Sequence, residues 1–268
     1  MLRIRFDLTP IDRVSPWGRD RTFHWFGLTD GRYCLEADGI ELLRYAAQTI
    51  ERSDTEGRRE GEPWVDYYVV RLWEDLLVAL PSILEPVPAD IAGVLPGGLS
   101  GWTDLGDSEI ADSPMVDAAH SAFYDRCVDT HYLRFGPAFL FVRTVEPTDS
   151  ITLSWRFHRD PDGEILFTAP ATGTATFSTD EFLAEITGFH DRLIAAMQAR
   201  VDHLTASGAP PSVELDLPGL VREHADRGTW LARALQRSVD TDWKAVRAVL
   251  PLLLGSADRR EDHAAEQG

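Results

Sequence analysis

Lysine and cysteine are nearly absent from this sequence. The shortage of lysine indicates the kind of genome, and the shortage of cysteine excludes sites that are built from several cysteines. Lys244 is the only lysine in 268 residues, so arginine carries almost all of the positive charge, as is typical of bacterial genomes with a high GC content. Cys34 and Cys127 are the only cysteines, and two distant thiols make neither a disulfide framework nor a zinc site of cysteines. We expect both thiols to be buried, Cys34 in a strand and Cys127 in a helix.

The sequence also lacks a long hydrophobic run without charges. Residues 1–7 alternate between polar and apolar side chains, so we expect no signal peptide. The most apolar segment, 69–84, is interrupted by Arg71, Glu74 and Asp75 and therefore does not predict a membrane span. We expect a cytoplasmic protein that is not attached to a membrane.

Positive charge is scarce throughout the chain. There are 44 acidic and 26 basic residues, which gives a formal net charge of −18. Such a surface repels the phosphates of nucleic acids and the headgroups of anionic lipids. We therefore expect no nucleic-acid partner, and a basic protein is the partner that fits best.

The motifs of common enzyme classes are absent too. The chain has no nucleophile elbow, no phosphate-binding loop, no His-Glu-x-x-His zinc motif and no glycine-rich dinucleotide motif. These absences make an enzyme less expected without excluding one. They predict no cofactor.

What the sequence does contain predicts an α+β fold with antiparallel meanders. Residues 2–8 alternate as a half-buried strand. In the stretch 24–43, two Asp-Gly pairs separate three apolar runs, and each pair supplies the positive φ angles that a tight hairpin needs. Residues 139–177 predict a second meander, which includes a short strand at 165–168.

Two long helices are predicted to cover the sheet. The first runs from Pro63 to Ile83, because proline is favoured in a first turn. The second spans 178–204 and starts with a capping box formed by Ser178 and Glu181. A shorter helix starts at Pro114, and a C-terminal helical pair, 218–236 and 241–254, is expected to pack as a small bundle.

These elements predict one domain over residues 1–255, followed by a disordered tail over 256–268. Residues 53–61 are charged and contain glycine, which indicates an exposed loop. Residues 81–113 are rich in proline and glycine and predict a long irregular connection.

Four segments resemble a known family. They are His24–Gly31 with Tyr33, which reads H-W-F-G-L-T-D-G-x-Y and is followed by Glu41–Tyr45, then Asp129–Arg134, Glu181–Leu193 and Asp242–Val246. The resemblance is to an uncharacterised, mainly actinobacterial family known only as a domain of unknown function. It covers most of the chain, which favours a single domain. It implies no activity, ligand or catalytic residue.

Two groups of residues are candidates for catalysis. His24, Asp30 and Arg32, at predicted strand ends, offer an imidazole, a carboxylate and a guanidinium for an acid–base site or an anion clamp. Asp30 is equally explained as the first residue of a turn. His190 lies at the edge of an apolar helical stripe, where it is either a general base or a structural boundary residue.

Two motifs are candidates for metal binding. Asp129 and His131 lie close together, but no second pair of ligands at metal spacing accompanies them. Residues 158–164 contain Asp-x-Asp-Gly, which matches only part of a calcium loop and is better explained as a turn. We therefore expect no metal requirement.

The strongest charge asymmetry predicts a binding segment. No lysine or arginine lies between Leu72 and Asp125, so the carboxylates of the segment 85–112 have no local cation. An aromatic anchor among polar residues is typical of an interface hot spot. The alternative is a solvated loop whose tryptophan folds back onto the core. The predicted binding residues are Trp102, Asp104, Asp107, Glu109 and Asp112.

Three functions remain open at this point. The leading hypothesis is a protein-binding module, such as an immunity-like or regulatory protein that masks a basic partner. The alternative is a small-molecule enzyme of the hydrolytic kind that uses His24 with Asp30, or His190. A third hypothesis is a DNA mimic, which requires acidic residues spaced like phosphates on one face.

Overall fold

The computed structural model describes residues 1–54, 63–106, 108 and 110–255. Within these ranges the chain mixes helices with antiparallel sheets, which confirms the predicted α+β class. The strands are β1 (Leu2–Leu8), β2 (Thr22–Phe23), β3 (Asp30–Ala37), β4 (Ile40–Glu41), β5 (Val65–Tyr68), β6 (Cys127–Asp129), β7 (Pro137–Thr144), β8 (Ser150–Phe157), β9 (Thr172–Ser178) and β10 (Glu214–Leu215). The helices are α1 (Ala47–Asp54), α2 (Val69–Leu84), α3 (Ala89–Ala92), α4 (Pro114–Tyr124), α5 (Thr179–Ser207), α6 (Leu217–Arg227), α7 (Trp230–Gln236) and α8 (Trp243–Leu253).

The first sheet is built around β3. Strand β1 pairs with it antiparallel along its whole length, from Leu2 opposite Ala37 to Leu8 opposite Gly31. On the other side, β4 and β5 each pair with one half of β3. The turn between β3 and β4 is the second predicted Asp-Gly pair, with φ of +49° at Asp38 and +82° at Gly39. That turn is confirmed.

The first Asp-Gly pair is not a turn, so the prediction of a three-run meander over 24–43 is wrong in its first half. Strand β3 already begins at Asp30, and a turn followed by a short 3₁₀ helix, Gly27–Thr29, precedes it. Gly31 is needed for a different reason. A Cβ atom there would lie 2.4 Å from the Asp7 carbonyl oxygen, so glycine allows the two strands to approach.

The second sheet has the strand order β6-β7-β8-β9 and is antiparallel throughout. Strand β7 is buried on both faces. Phe139 and Phe141 face the large core that α2 and α5 cover, whereas Leu140 and Val142 belong to a second core with α3, α4 and α8. At β6 and β7 the second sheet therefore lies between two layers of helices, which explains the uninterrupted apolar run of β7.

Helix α2 begins later than predicted. Residues 65–68 form β5 and Tyr68 is the N-cap, so Pro63 does not open the helix. Valine and tyrosine fit a strand well, and β3 offers these residues a partner. Pro81 lies inside α2 and does not end it, since the helix continues to Leu84.

Helix α5 confirms its predicted start and closes the edge of the first sheet. The Ser178 hydroxyl accepts a hydrogen bond from Glu181 N at 3.1 Å, and the Glu181 carboxylate accepts one from Ser178 N. Further along, Glu185 accepts from Ile4 N at 2.8 Å and Arg192 donates to Ile4 O at 2.9 Å. These contacts satisfy backbone groups of β1 on the side away from β3, which limits pairing with another chain.

Three other predictions about the elements are wrong. Cys127 starts β6 and is not part of α4, which ends at Tyr124. Residues 165–168 do not form a strand and contribute a single bridge between Phe167 and Tyr45. The predicted connection 81–113 also holds α3 and a short 3₁₀ helix.

The C-terminal helices are present but do not form a bundle. The predicted helix 218–236 is divided into α6 and α7 near Gly228. Helix α6 packs on α5, α7 packs on α2, and α8 packs on α4. Each of the three helices therefore buries its apolar face against a different earlier helix and not against the other two. The predicted tail 256–268 and residues 55–61 of the predicted loop lie outside the described residues.

Among the residues that the structure describes, none of the helices combines the length and the apolar character that a membrane crossing requires.

Arg200 on α5 generates a prediction about stability. Its buried guanidinium donates to Leu28 O at 2.5 Å and also to Thr9 O, so it joins α5 to the segments before and after β2. Arg200→Met removes the donor from both carbonyl groups, and each loss costs about 1–3 kcal/mol of unfolding free energy. Chemical denaturation measures the effect. Arg222→Met, at an exposed position on α6, is the control, and an equal effect in both variants would contradict the prediction.

Candidate functional site

Trp102 is held against α4 by ring stacking. Its indole stacks on the His120 ring, with centroids 5.4 Å apart and an interplanar angle of 13°, and it lies against Phe123 at 5.2 Å. The side chain is half-buried, and among the described residues its Nε1 has no hydrogen-bond partner. Trp102 is thus part of the second core and also a surface residue.

A groove of about 320 Å³ opens beside this stack. Its walls come from the segment 98–106 and from one face of α4. The Tyr124 side chain at its margin is 63% exposed, which is unusual for a large aromatic residue. Residues that line the groove include Trp102, Leu105, Val116, His120 and Tyr124, with Asp104 among them.

Two carboxylates of the predicted acidic segment are neutralised by distant arginines. Glu85 forms an ion pair with the fully buried Arg126, and Asp90 forms a bidentate pair with Arg247, at 2.5 and 3.0 Å. The expectation that no cation compensates this segment is therefore wrong for these two residues. The sequence could not show it, because Arg247 is 157 residues away from Asp90.

Three other carboxylates differ, of which Asp104 lines the groove and two are sequence neighbours of lining residues. Asp104, Asp112 and Asp117 are exposed, and within the described part of the chain no ion pair reaches them. Asp112 and Asp117 adjoin two lining residues, Ala111 and Val116. The predicted binding residues Asp107 and Glu109 lie outside the described residues. The groove therefore combines aromatic surface with negative charge.

His190, one of the catalytic candidates, belongs to a buried arrangement of two tryptophan–histidine pairs. Trp73 Nε1 donates to His190 Nδ1 at 3.2 Å, and Trp25 Nε1 donates to His224 Nδ1 at 3.2 Å. The two indole rings lie 6.0 Å apart. We call these four residues, together with Arg227, the tryptophan–histidine cluster.

Arg227 completes the cluster with its charge. The guanidinium lies 4.4 Å from the centroid of the Trp25 ring and 4.6 Å from that of Trp230. It also pairs with Glu74 at 2.6 Å and with Glu223 at 2.9 Å. A buried charge needs such partners, because an unpaired one would be strongly destabilising.

The position of His190 favours a structural role. Its Nδ1 accepts from Trp73, and the backbone of Gly228 also forms a hydrogen bond with its ring. Burial lowers the pKa of His190 and that of His224, which favours the neutral rings that accept from indole. His224 was missed in the sequence, where only its last-turn position on α6 could have drawn attention to it.

The other catalytic candidates are distributed along β3 and the segment before it. His24 Nδ1 accepts from Gly27 N at 3.2 Å, and burial lowers the pKa of His24, with Glu223 raising it and Arg227 lowering it. Asp30 acts electrostatically on the buried Arg200. Arg32 lies opposite Asp7 on one side and Asp66 on the other. The hydrolytic alternative stays a prediction.

A second group of titratable residues lies where α2 meets the turn after β6. The hydroxyl groups of Tyr33 and Tyr132 are 3.3 Å apart, and the Arg71 guanidinium lies 5.5 Å from the centroid of the Tyr132 ring. Arg71 Nε is 3.2 Å from Asp75 Oδ2. Burial raises the pKa of Asp75 to about 6, and the charge of Asp129 contributes to the rise.

Next to this group, three potential metal ligands come together at the surface. Asp129, His131 and His158 each offer one ligand atom, and these atoms lie within 4.8 Å of one another. The two imidazole rings have centroids 4.3 Å apart. Burial and the neighbouring His131 lower the pKa of His158. The sequence indicated Asp129 and His131 together, but it placed His158, which directly follows β8, in the separate candidate motif 158–164.

The Asp-x-Asp-Gly motif has a turn role. The Asp160 carboxylate accepts hydrogen bonds from the backbone N–H groups of Ile165, Asp162 and Glu164, and these bonds lower the pKa of Asp160. A carboxylate that is used in this way organises its own loop, which fits the turn interpretation.

The fold and these sites define an α+β protein with two cores that share one sheet. Residues 3–249 match the model of a family of unknown function (DUF5984), and the chain belongs to that family. This confirms the resemblance to an uncharacterised family. No curated protein and no solved structure matches the chain. Any function must therefore be argued from the residues themselves.

The tryptophan–histidine cluster predicts a loss of stability in acid. Because burial holds the pKa of His190 and of His224 below their ordinary value of 6.5, the unfolded chain takes up protons first as the pH falls. Their contribution is complete above about pH 6.5 and decreases as the pH falls towards the folded-state values. The variant His190→Gln/His224→Gln keeps a hydrogen-bond acceptor but cannot titrate.

When the pH falls from about 7.5 to about 5, we expect the unfolding free energy of this double variant to decrease by less than that of the wild type. Denaturant unfolding at several pH values measures it. His203→Gln, at an exposed position on α5, is the control. The raised pKa of Asp75 makes the unfolding free energy increase as the pH falls, which is opposite to the effect of the two histidines. Asp75 is present in every variant, so this contribution cancels in the comparison. An unchanged pH dependence in the double variant would contradict the assignment.

Proposed function

We propose that the protein is a cytoplasmic protein-binding module whose Trp102 groove receives a basic segment of a partner protein. The observation that carries the proposal is the pairing of an aromatic groove with carboxylates that have no cationic partner among the described residues. A segment with arginine or lysine beside an apolar side chain has the complementary chemistry.

The aromatic residues supply the contact energy in this proposal. Tryptophan and tyrosine are enriched in hot spots, because they bury a large area and lose little side-chain entropy. The Tyr124 ring packs edge-on against His120 and Phe123, and Trp102 is already fixed by His120, so little ordering remains to be done on binding.

In this proposal, negative charge accelerates association with the partner and determines which partners bind. The net charge of −18 attracts a basic partner over long range, and the carboxylates near the groove orient it. The same charge opposes nucleic acids and anionic membranes as partners. An immunity-like or regulatory role, in which the groove masks a basic surface, follows from this choice of partner.

The test compares two triple variants that have the same net charge. Asp104→Asn/Asp112→Asn/Asp117→Asn neutralises the groove, and Asp12→Asn/Asp20→Asn/Asp240→Asn neutralises exposed positions elsewhere. Affinity capture from the soluble extract of the native host identifies proteins retained by the wild type and by the control variant. Isothermal calorimetry then measures the affinity of the purified partner for each variant.

We expect the groove variant to bind at least about tenfold more weakly than the control variant, a loss of about 1.4 kcal/mol. The association rate of the wild type should fall with added salt, because steering is screened over about 10 Å at 0.1 M. Trp102→Ala should weaken binding mainly by faster dissociation. Equal affinity of both triple variants would refute the groove as the site.

A further inference from the structure

The geometry points to a binding site for one divalent transition-metal ion, of the zinc class, formed by Asp129, His131 and His158. This site is separate from the Trp102 groove and does not depend on the proposed function. The two imidazoles and the carboxylate are the ligands that Zn²⁺ takes in proteins, with His and Asp distances of about 2.0–2.2 Å. The assembly of the ligands by the sheet, the rigidity of the turn that carries His131 and the spacing of the ligand atoms support it.

The second sheet brings the three ligands together. In the antiparallel register, Asp129 lies opposite Ala138, and Ala138 lies opposite Arg156. The C-terminal ends of β6 and β8 therefore lie at the same end of the sheet, with the start of β7 between them. His158 directly follows β8, and His131 follows β6 by two residues.

The turn that carries His131 is rigid. The buried Thr130 hydroxyl donates to Pro137 O at 2.7 Å, and Leu133 N donates to Thr130 O at 2.8 Å. A Cβ atom on Gly136 would lie 2.4 Å from the Thr130 hydroxyl oxygen, so this turn requires glycine. A metal site needs such support behind its ligands, because loosely held ligands pay an ordering cost on binding.

The ligand atoms of the site are already close to one another. Ligand atoms around a tetrahedral zinc ion are about 3.4 Å apart, and here they lie within 4.8 Å of one another. Asp129 and His131 are exposed and His158 is half-buried, so their side chains have room to rotate towards a common ion. His131 N already donates to Asp129 Oδ1 at 3.0 Å, and His131 Nδ1 contacts the other carboxylate oxygen, which holds two of the three ligands together.

The ligand set also selects the kind of metal. Imidazole favours Zn²⁺, Co²⁺ and Ni²⁺, whereas Mg²⁺ and Ca²⁺ prefer sites made only of oxygen atoms. Three protein ligands leave at least one position open for water or for another molecule, as in zinc sites that are not purely structural. The sequence-based expectation of no metal rested on the missing second pair of ligands, and the fold supplies the third ligand through His158.

The experiment titrates Zn²⁺ into the untagged full chain by isothermal calorimetry and repeats the titration with Mg²⁺. The visible absorption of bound Co²⁺ reports on coordination by imidazole. Variants are Asp129→Asn, His131→Gln, His158→Gln and the double histidine variant. His203→Gln is the matched control, because it removes an exposed histidine elsewhere on the surface.

We expect one Zn²⁺ per chain, no binding of Mg²⁺ and an affinity that falls by about tenfold or more in each ligand variant, with the control unchanged. Zn²⁺ should also raise the melting temperature of the wild type and not that of the double variant. The proposal is overturned if Zn²⁺ does not bind at one equivalent, or if the double variant keeps the affinity of the wild type. Equal loss in His203→Gln would likewise overturn it, and the single variants serve if the double variant is unstable.

Discussion

The burial of Trp25 and Trp73 is the constraint on which the rest of the structure depends. Each indole carries an N–H group that costs free energy when it is buried without an acceptor. His224 and His190 accept these hydrogen bonds, and Arg227 covers the Trp25 ring while it pairs with acidic residues. Since these residues come from the segment before β3 and from α2, α5 and α6, the cluster joins four parts of the chain in one buried polar arrangement.

Signals that depend on sequence neighbours predicted the structure well. The Asp38-Gly39 turn and the capping box at Ser178 are decided within four residues, so no distant contact is needed to form them. Predictions failed where a distant partner decides the outcome. Asp30-Gly31 resembles a turn locally, but pairing with β1 extends it, and residues 65–68 become a strand because β3 is available beside them.

The candidate site was only partly visible in the sequence for the same reason. The acidic segment and Trp102 could be recognised from composition, but the arginines that neutralise Glu85 and Asp90 lie far along the chain. Asp129 and His131 were recognised as neighbours, whereas His158 joins them only through the register of β6, β7 and β8. Single-sequence patterns therefore identify ligand fragments and not complete ligand sets.

Residues that hold the scaffold can be separated from residues that remain available for function. Several segments that resemble the family contain residues that stabilise the fold. Trp25 forms a buried hydrogen bond with His224, and Glu185 and Arg192 form hydrogen bonds with the backbone of the edge strand β1. A residue that is already committed to such a contact has little freedom to change partners during binding or catalysis. The exposed acidic residues beside the groove and the surface ligands around Asp129 make only local contacts, such as those of Asp104 with Gly106 N and of Asp129 with His131 N. Function is therefore best sought at these two surfaces rather than at the histidines inside the tryptophan–histidine cluster.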